Sequence, residues 1–338
     1  METNWTQTIK THLAEVPPGT LVEVSPNGEE HPHPPAPHWT GRGRLEHYPL
    51  FPGAVFTHLW VLGESLPHRH AALGSGLEIT HCRLGRVGWE MQEGLTLYLG
   101  PGDLALHPMA CCAHSLLRFP LEGYEGFSLS LDVETLKAHL PPALALGRVD
   151  PGQLLEKFCP QGKPAALPAR ADLDHIFRPL YDLPADLRPA YYTLKAEELL
   201  LYLAQTQPPK EGAPQAYLSQ QVEVIRAIHD QLMAHPDRRV TIEALAREHH
   251  MNTSTLKSVF KAVYGQPIAA HMKHHRMEEA ARLLRETDGS IGDIAQQVGY
   301  ENQSKFSQAF RDTFQVLPTE YRRAHGVQAA GPRDPSRP

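Results

Sequence analysis

Apolar and polar positions divide the chain into regions of different periodicity. From about Leu45 to Asp132, short apolar runs such as AVFTHLWVL, GLEITHCRL and GFSLSLDV are separated by Gly and Pro. Strand-length runs interrupted every ten residues or so are typical of an antiparallel barrel or sandwich. After Asp132 the spacing becomes helical, with Leu at i, i+3 and i+4 in segments such as RPAYYTLKAEELLLYLAQ. The pattern predicts an α+β protein whose N-terminal part is rich in strands.

One segment near the C-terminus occurs twice. TIEALAREHHMNTSTLKSVFKAVYG (241–265) and SIGDIAQQVGYENQSKFSQAFRDTF (290–314) align with an offset of 49 residues in their first half and 50 in their second. Each copy has two short runs with apolar residues at i, i+3, i+4 and i+7, separated by a turn. Asn252 is predicted to cap the second helix of the first copy. The repeat predicts two helix-turn-helix units in an all-helical second domain.

The second helix of each copy has a polar outer face. These polar side chains are Ser254, Thr255, Lys257, Ser258 and Lys261 in the first copy, and Gln303, Ser304, Lys305, Gln308 and Arg311 in the second. Gln can bond the adenine edge bidentately, and Lys or Arg can reach guanine or phosphate. A single face of this kind could be an ordinary solvated surface. Two matching faces favour binding to double-stranded DNA.

The segment between the two copies sets their spacing. PIAAHMKHHRMEEAARLLRET (267–287) has helical periodicity, and a helix of this length spans about 31 Å. One turn of DNA is about 34 Å long. The two recognition helices are therefore expected to enter two successive major grooves.

Residues 221–323 resemble the DNA-binding domain of the AraC/XylS family of bacterial transcription regulators. The resemblance is carried by IAQQVGY, FSQAFR and LPTEYRR. Lys305 replaces a common aromatic residue, and Gln315 replaces the Gly that usually ends this helix. The resemblance implies RNA polymerase as a further partner if the protein is an activator. It places base contacts at Ser254, Lys257, Ser258, Gln303, Ser304, Lys305 and Gln308.

The N-terminal half is similar to the cupin-like sensing domain found in members of that family. LGPGDLALHP resembles a turn of such barrels, and the segment 188–205 looks like their dimerisation helices. The resemblance implies a small-molecule effector and a homodimer. The apolar residues of this helix could form the dimer contact or an internal core; they are Tyr192, Leu199, Leu200 and Leu203.

Composition and charge refine the domain organisation. The net charge is −6, and residues 216–325 hold 14 Lys and Arg against 13 Asp and Glu, so DNA binding must depend on where the charges lie. The start of the chain does not resemble a signal peptide, and a cytoplasmic protein with no membrane partner is expected. The predicted divisions are a flexible arm (1–44), a cupin-like sensing and dimerisation domain (45–206), a linker (207–216), a DNA-binding domain (217–325) and a disordered tail (326–338).

One group of histidines could be interpreted as a metal site. His68, His70, Glu78 and either His107 or His114 follow the order of ligands in metal cupins. The chain contains 21 His, and surface or barrel-rim histidines are the simpler interpretation. No metal or other cofactor is therefore expected.

These features together predict an effector-controlled transcription regulator, and the family resemblance implies activation as the sign. Effector binding would shift the population of chains that can bind DNA. No nucleophile–base motif, phosphate loop or dinucleotide fingerprint occurs, so no enzyme activity is expected. The alternatives are a metal-dependent cupin enzyme fused to a DNA-binding module, and a constitutive regulator whose N-terminal half only dimerises.

Overall fold

A computed structural model describes most of the chain. The described residues are 4–69, 74–91, 94–112, 114–208, 216–236, 238 and 240–326. Contacts divide the chain into an N-terminal unit, which extends to Val222, and a C-terminal unit, which begins at Glu223; Ala262–Gly265 groups with the first. Among the described residues, no helix is long and apolar enough to cross a membrane.

The strands of the N-terminal unit form two sheets. They are β1 (Thr20–Val24), β2 (Glu30–His33), β3 (Arg42–Phe51), β4 (Ala54–Leu62), β5 (Ser65–Arg69), β6 (Gly76–Gly85), β7 (Val87–Glu90), β8 (Leu95–Leu99), β9 (Leu104–Pro108), β10 (His114–Arg118), β11 (Gly123–Asp132), β12 (Ala165–Leu167) and β13 (Ala216–Leu218). The larger sheet has the order β12, β9, β6, β11, β4, β3, β1, β2, and the smaller has the order β13, β8, β7, β10, β5. β1 and β3 pair in parallel, and the other recorded pairs, such as β6 with β11, are antiparallel.

The two sheets share a core. Val61 and Cys82 of the larger sheet pack with Leu66, Trp89 and Leu117 of the smaller one. The described strands remain in two separate sheets, with no closed barrel among them. The prediction of an α+β protein with a sheet-rich N-terminal part and a helical C-terminal domain is confirmed, whereas the cupin-like barrel is not.

Helices cover the other face of the larger sheet. They include α3 (Val133–Ala138), α4 (Pro142–Leu146), α5 (Pro151–Phe158), α6 (Ala171–Phe177) and α7 (Arg188–Gln205), while α1 (Asn4–His12) and α2 (Met109–Cys112) lie earlier in the chain. Alternate residues of a strand point to opposite faces, and Phe56 and Phe127 project into this helical core. Four side chains of α7 pack there: Tyr192, Leu199, Leu200 and Leu203. These four residues are therefore core residues of their own unit.

The helix α1 and the strand β1 lie within the predicted arm (1–44), and both contribute to a core. Ile9 and Leu13 are fully buried and pack with Val16, Val22 and Trp60. Ile9, Leu13 and Val16 stand at i, i+4 and i+7, an apolar stripe that the surrounding Pro- and His-rich composition obscured. Residues 209–215 of the predicted linker and 327–338 of the predicted tail lie outside the described residues.

The C-terminal unit is helical. Its helices are α8 (Ser219–Ala234), α9 (Ile242–Glu248), α10 (Thr253–Tyr264), α11 (Ile268–Glu286), α12 (Ile291–Gln297), α13 (Gln303–Phe314) and α14 (Pro318–His325). Ala280 and Leu284 of α11 pack with Ile294 of α12, Phe310 of α13 and Tyr321 of α14. The connecting helix α11 is thus part of the core of the second helix-turn-helix unit.

The two copies repeat their backbone as well as their sequence. His250 and Gly299 occupy the same turn position, with φ of 51° and 83°, and Gly265 and Gln315 both follow a recognition helix, with φ of 80° and 61°. This left-handed conformation costs a residue with a side chain about 1–2 kcal/mol, but not Gly. Each copy has glycine at only one of its two left-handed positions. Both copies therefore keep the left-handed backbone conformation at these two positions even where the residue is not glycine.

Candidate nucleic-acid interface

Asparagine caps fix the start of both candidate recognition helices. Asn252 accepts a hydrogen bond from the backbone N–H of Thr255 at 2.7 Å, ahead of α10. Asn302 accepts from the N–H groups of Ser304 at 2.8 Å and Lys305 at 3.1 Å, ahead of α13. Such caps satisfy N–H groups that the helix itself leaves unpaired. Both helices therefore begin at equivalent residues of the repeat.

The predicted contact residues of the first copy lie on the outer face of α10. Ser254, Lys257, Ser258 and Lys261 are exposed, and Thr255 is partly buried. The hydroxyl of Ser258 donates to the carbonyl oxygen of Thr255 at 3.0 Å. Lys257 and Lys261 are the positively charged residues of this face.

The second copy presents a similar face on α13. Its exposed residues are Gln303, Ser304, Lys305, Gln308 and Arg311. The amide nitrogen of Gln308 donates to Asp312 Oδ1 at 2.6 Å, and Arg311 donates to Gln308 Oε1 at 3.1 Å. Both ends of the Gln308 amide are thus held by neighbours on the same helix.

Sequence reasoning missed two residues that support this face. Asp312 lies 3.6 Å, measured from its Oδ2, from Nζ of Lys273 on α11. Asp312 therefore links Gln308 to the connecting helix. The i, i+4 spacing of Gln308 and Asp312 was a usable signal, whereas the contact with Lys273 depends on how α11 packs against α13.

The spacing between the two copies follows from α11. This helix has 19 residues, which corresponds to about 28 Å, and it begins at Ile268 with Pro267 as its N-cap residue. Arg276 extends from it and donates to the carbonyl oxygens of Pro236 at 2.7 Å and Arg238 at 3.2 Å. The helix α11 is thereby bonded to the segment that precedes α9, and it packs in the core of the second helix-turn-helix unit.

The histidine cluster considered as a metal site is partly assembled. Glu78 Oε2 lies 4.0 Å from Nε2 of His68 and 3.9 Å from Nε2 of His107. His70 lies outside the described residues. Within the described part of the chain, no three His, Cys, Asp or Glu side chains are placed to hold a metal ion.

The geometry of the C-terminal unit defines a protein with a paired helix-turn-helix domain. A family model described as "Helix-turn-helix domain" matches residues 245–324. The transcriptional regulator AlkR of Acinetobacter baylyi is 31% identical over 121 residues, which cover 36% of this chain and 38% of AlkR. The regulatory protein SoxS of Salmonella typhimurium is 30% identical over 100 residues, which cover 30% of this chain and 94% of SoxS.

Solved structures were also found to be similar to part of this chain. The DNA-binding domain of AdpA, in complex with a target DNA, is 23% identical and covers 30% of this chain and 90% of that one, with a TM-score of 0.29. The chain belongs to the AraC/XylS family of transcription regulators. The relatives named here are regulators and not enzymes, which agrees with the expectation from sequence.

Proposed function

We propose that the protein regulates transcription by inserting α10 and α13 into two successive major grooves of double-stranded DNA. One observation carries this proposal: two helices, each capped by an asparagine, expose polar faces at equivalent positions of a repeat. The connecting helix of about 28 Å is close to the ~34 Å of one DNA turn. The proposed base contacts are Ser254, Lys257 and Ser258 on α10 and Gln303, Ser304, Lys305 and Gln308 on α13.

A base contact by Gln303 and a phosphate contact by Lys261 are proposed, and mutation can distinguish them. Gln303→Ala should weaken binding to the cognate duplex by about 1–3 kcal/mol and reduce the protein's sequence preference at one or two base pairs. Lys261→Ala should weaken binding to all sequences alike and lower the salt slope by about one phosphate contact. The measurement is affinity for cognate and scrambled duplexes across a salt series, with the exposed Lys163→Ala of the N-terminal unit as control.

Three results would contradict these assignments. Equal weakening of both duplexes by Gln303→Ala would show that Gln303 does not read sequence. A salt slope unchanged by Lys261→Ala would remove the phosphate contact. Loss of all specific binding in the Lys163→Ala control would mean that the DNA site lies elsewhere.

We further propose that the N-terminal unit is a cupin-like sensing domain that binds a small-molecule effector and shifts the population of chains able to bind DNA. The mechanism requires that the effector bind the state that can bind DNA and the state that cannot with different affinities. The factor by which the effector changes the affinity for DNA then equals the factor by which DNA changes the affinity for the effector. Activation is the proposed sign, with RNA polymerase as the second partner. Transcription in vitro from a promoter with the cognate site tests the sign, because repression of that promoter would contradict it.

The outer face of α7 is the proposed homodimer contact. Leu187 and Tyr191 are exposed there, and Leu194 retains 62% of its surface. These residues stand at i, i+4 and i+7, opposite the residues of α7 that pack in the core. A continuous apolar stripe on a helix that is already buried on its other side favours pairing with a second copy.

Leu194→Lys should raise the dimer dissociation constant at least about tenfold, since a charge would be placed in an apolar contact at a cost above about 1.4 kcal/mol. Its melting temperature as a monomer should not fall, because Leu194 is exposed. Analytical ultracentrifugation over a concentration series measures this. Gln207→Lys, beyond the end of α7, adds the same charge and should dimerise normally. A Leu194→Lys protein that dimerises as tightly as the unmodified one would exclude this face.

A further inference from the structure

A cleft in the N-terminal unit lies between β6 of the larger sheet and the segment that contains α6 and the 3₁₀ turn Arg178–Asp182. Its volume is about 720 Å³, within the range of about 300–1,000 Å³ that is usual for small-molecule sites. It belongs to the helix-covered side of the larger sheet and is separate from the core between the two sheets.

Three guanidinium groups line this cleft: Arg83, Arg170 and Arg178. Arg83 donates from Nη1 to Glu125 at 2.9 Å, and Arg170 donates from Nη2 to Asp172 at 3.0 Å. No carboxylate among the described residues forms an ion pair with Arg178, which is exposed at the cleft. Since a guanidinium carries five N–H donors in a planar fork, each arginine retains donors for a ligand. Planar forks of this type match the two oxygens of a carboxylate.

Aromatic rings form another part of the cleft. The guanidinium of Arg83 lies over the ring of Tyr181, 4.2 Å from its centroid. The ring of His81 stacks on Phe177 at 3.9 Å, and its Nδ1 lies 2.8 Å from the hydroxyl of Tyr181. Burial lowers the pKa of His81 to about 3, so this ring is neutral near pH 7. The rings hold Arg83 in place and give the cleft an apolar surface beside its positive charges.

Two carboxylates also line the cleft, Asp174 and Asp182, and Asp182 approaches Arg83. Asp182 Oδ1 lies 3.9 Å from Nη2 of Arg83, and the Asp182 side chain is 86% exposed. At this distance the pair is an ion pair without a hydrogen bond, and an exposed pair of this type contributes little to stability. A ligand carboxylate with better geometry can therefore replace Asp182 at Arg83.

We propose that this cleft binds a small organic carboxylate, with its negative group between Arg83 and Arg178 and its apolar part against Tyr181. This inference rests on the proposed effector-sensing function and gives that function a site and a ligand class. Asp182 competes with the ligand for Arg83, so the site is weakened by the chain's own carboxylate. The same arginine forks can bind a phosphate ester, but the two carboxylates of the lining, Asp174 and Asp182, favour a singly charged carboxylate over a doubly charged phosphate.

Calorimetric titration of the full chain with benzoate tests the proposal, with phenyl phosphate and uncharged benzamide as matched probes. Benzoate should bind, benzamide should not, and phenyl phosphate should bind more weakly than benzoate. Arg178→Gln should raise the benzoate dissociation constant about tenfold or more, the effect of losing a charged hydrogen-bonding partner. Asp182→Asn should lower it severalfold. Lys163→Gln removes an exposed charge outside the cleft and should leave it unchanged.

Several results would overturn the proposal. They are no benzoate binding at millimolar concentration, equal binding of benzamide, tighter binding of phenyl phosphate, or benzoate binding that is unchanged in Arg178→Gln. Arg178 and Asp182 are exposed, so both variants should keep the melting temperature of the unmodified chain. DNA affinity measured with and without benzoate is a separate readout. Benzoate binding that depends on Arg178 but leaves DNA affinity unchanged would support the site and contradict its proposed role as the effector site.

Discussion

Ala280→Asp is expected to unfold the C-terminal unit and abolish DNA binding, while Ala270→Asp, on the same helix, leaves both intact. Ala280 is completely buried among residues of α12, α13 and α14, whereas Ala270 is exposed in the first turn of α11. A buried carboxylate without a partner costs several kcal/mol. Domains are stable by about 5–15 kcal/mol, so this substitution removes a large part of the total.

The chain offers a direct way to measure this effect. All four Trp residues lie in the N-terminal unit, at positions 5, 39, 60 and 89, whereas the C-terminal unit is helical. Ala280→Asp should therefore lower the helical circular dichroism at room temperature or on mild heating while tryptophan fluorescence remains native. In the control variant Ala270→Asp, the new carboxylate would lie near a helix N-terminus, where a negative charge is favourable. An Ala280→Asp protein with unchanged helical melting and DNA affinity would show that α11 is not part of the core of the second helix-turn-helix unit.

The helix-turn-helix units could be predicted from sequence because their signals are local and occur twice. Periodicity, the Asn252 cap and the apolar positions all lie within short segments, and the repeat identifies equivalent residues. The same information predicted which polar side chains of α10 and α13 are exposed, except for Thr255, which is partly buried. It did not predict the contact between Asp312 and Lys273, since that contact requires two helices to meet at a defined crossing.

The N-terminal unit was less predictable because its contacts are non-local. β1 pairs in parallel with β3, which brings residues 20–24 beside 42–46 and folds the segment that its composition marked as flexible. In α7 both helix faces are apolar, so periodicity alone could not assign Tyr192 to the core and Leu194 to the surface. The larger sheet determines which face is covered.

A buried charge network connects three strands of the larger sheet. Glu125 of β11, 1% exposed, accepts a hydrogen bond from Arg83 of β6 at 2.9 Å and lies 3.1 Å from Nε2 of His58 on β4. Burial lowers the pKa of His58 to about 4, although Glu125 acts in the opposite direction. Burial alone would raise the pKa of Glu125, but the hydrogen bonds and charges of His58 and Arg83 outweigh it and lower that pKa. Near pH 7 the network is thus an ion pair between Glu125 and Arg83, with neutral His58 donating to the carboxylate.

Glu125→Ala is expected to destabilise the N-terminal unit by about 3 kcal/mol, because it removes a buried acceptor that is hydrogen-bonded to Arg83 and His58. Glu125→Gln should cost less, because its side-chain oxygen can still accept from Arg83 and His58 although the charge is lost. Glu134→Ala breaks a surface pair with Lys137 and should cost less than about 1 kcal/mol. Since the rings of His58 and Trp60 are 3.5 Å apart, tryptophan fluorescence during urea unfolding reports this region directly. A Glu125→Ala protein as stable as Glu134→Ala would mean that Arg83 regains its solvation in the folded state, so that the ion pair does not hold the three strands together.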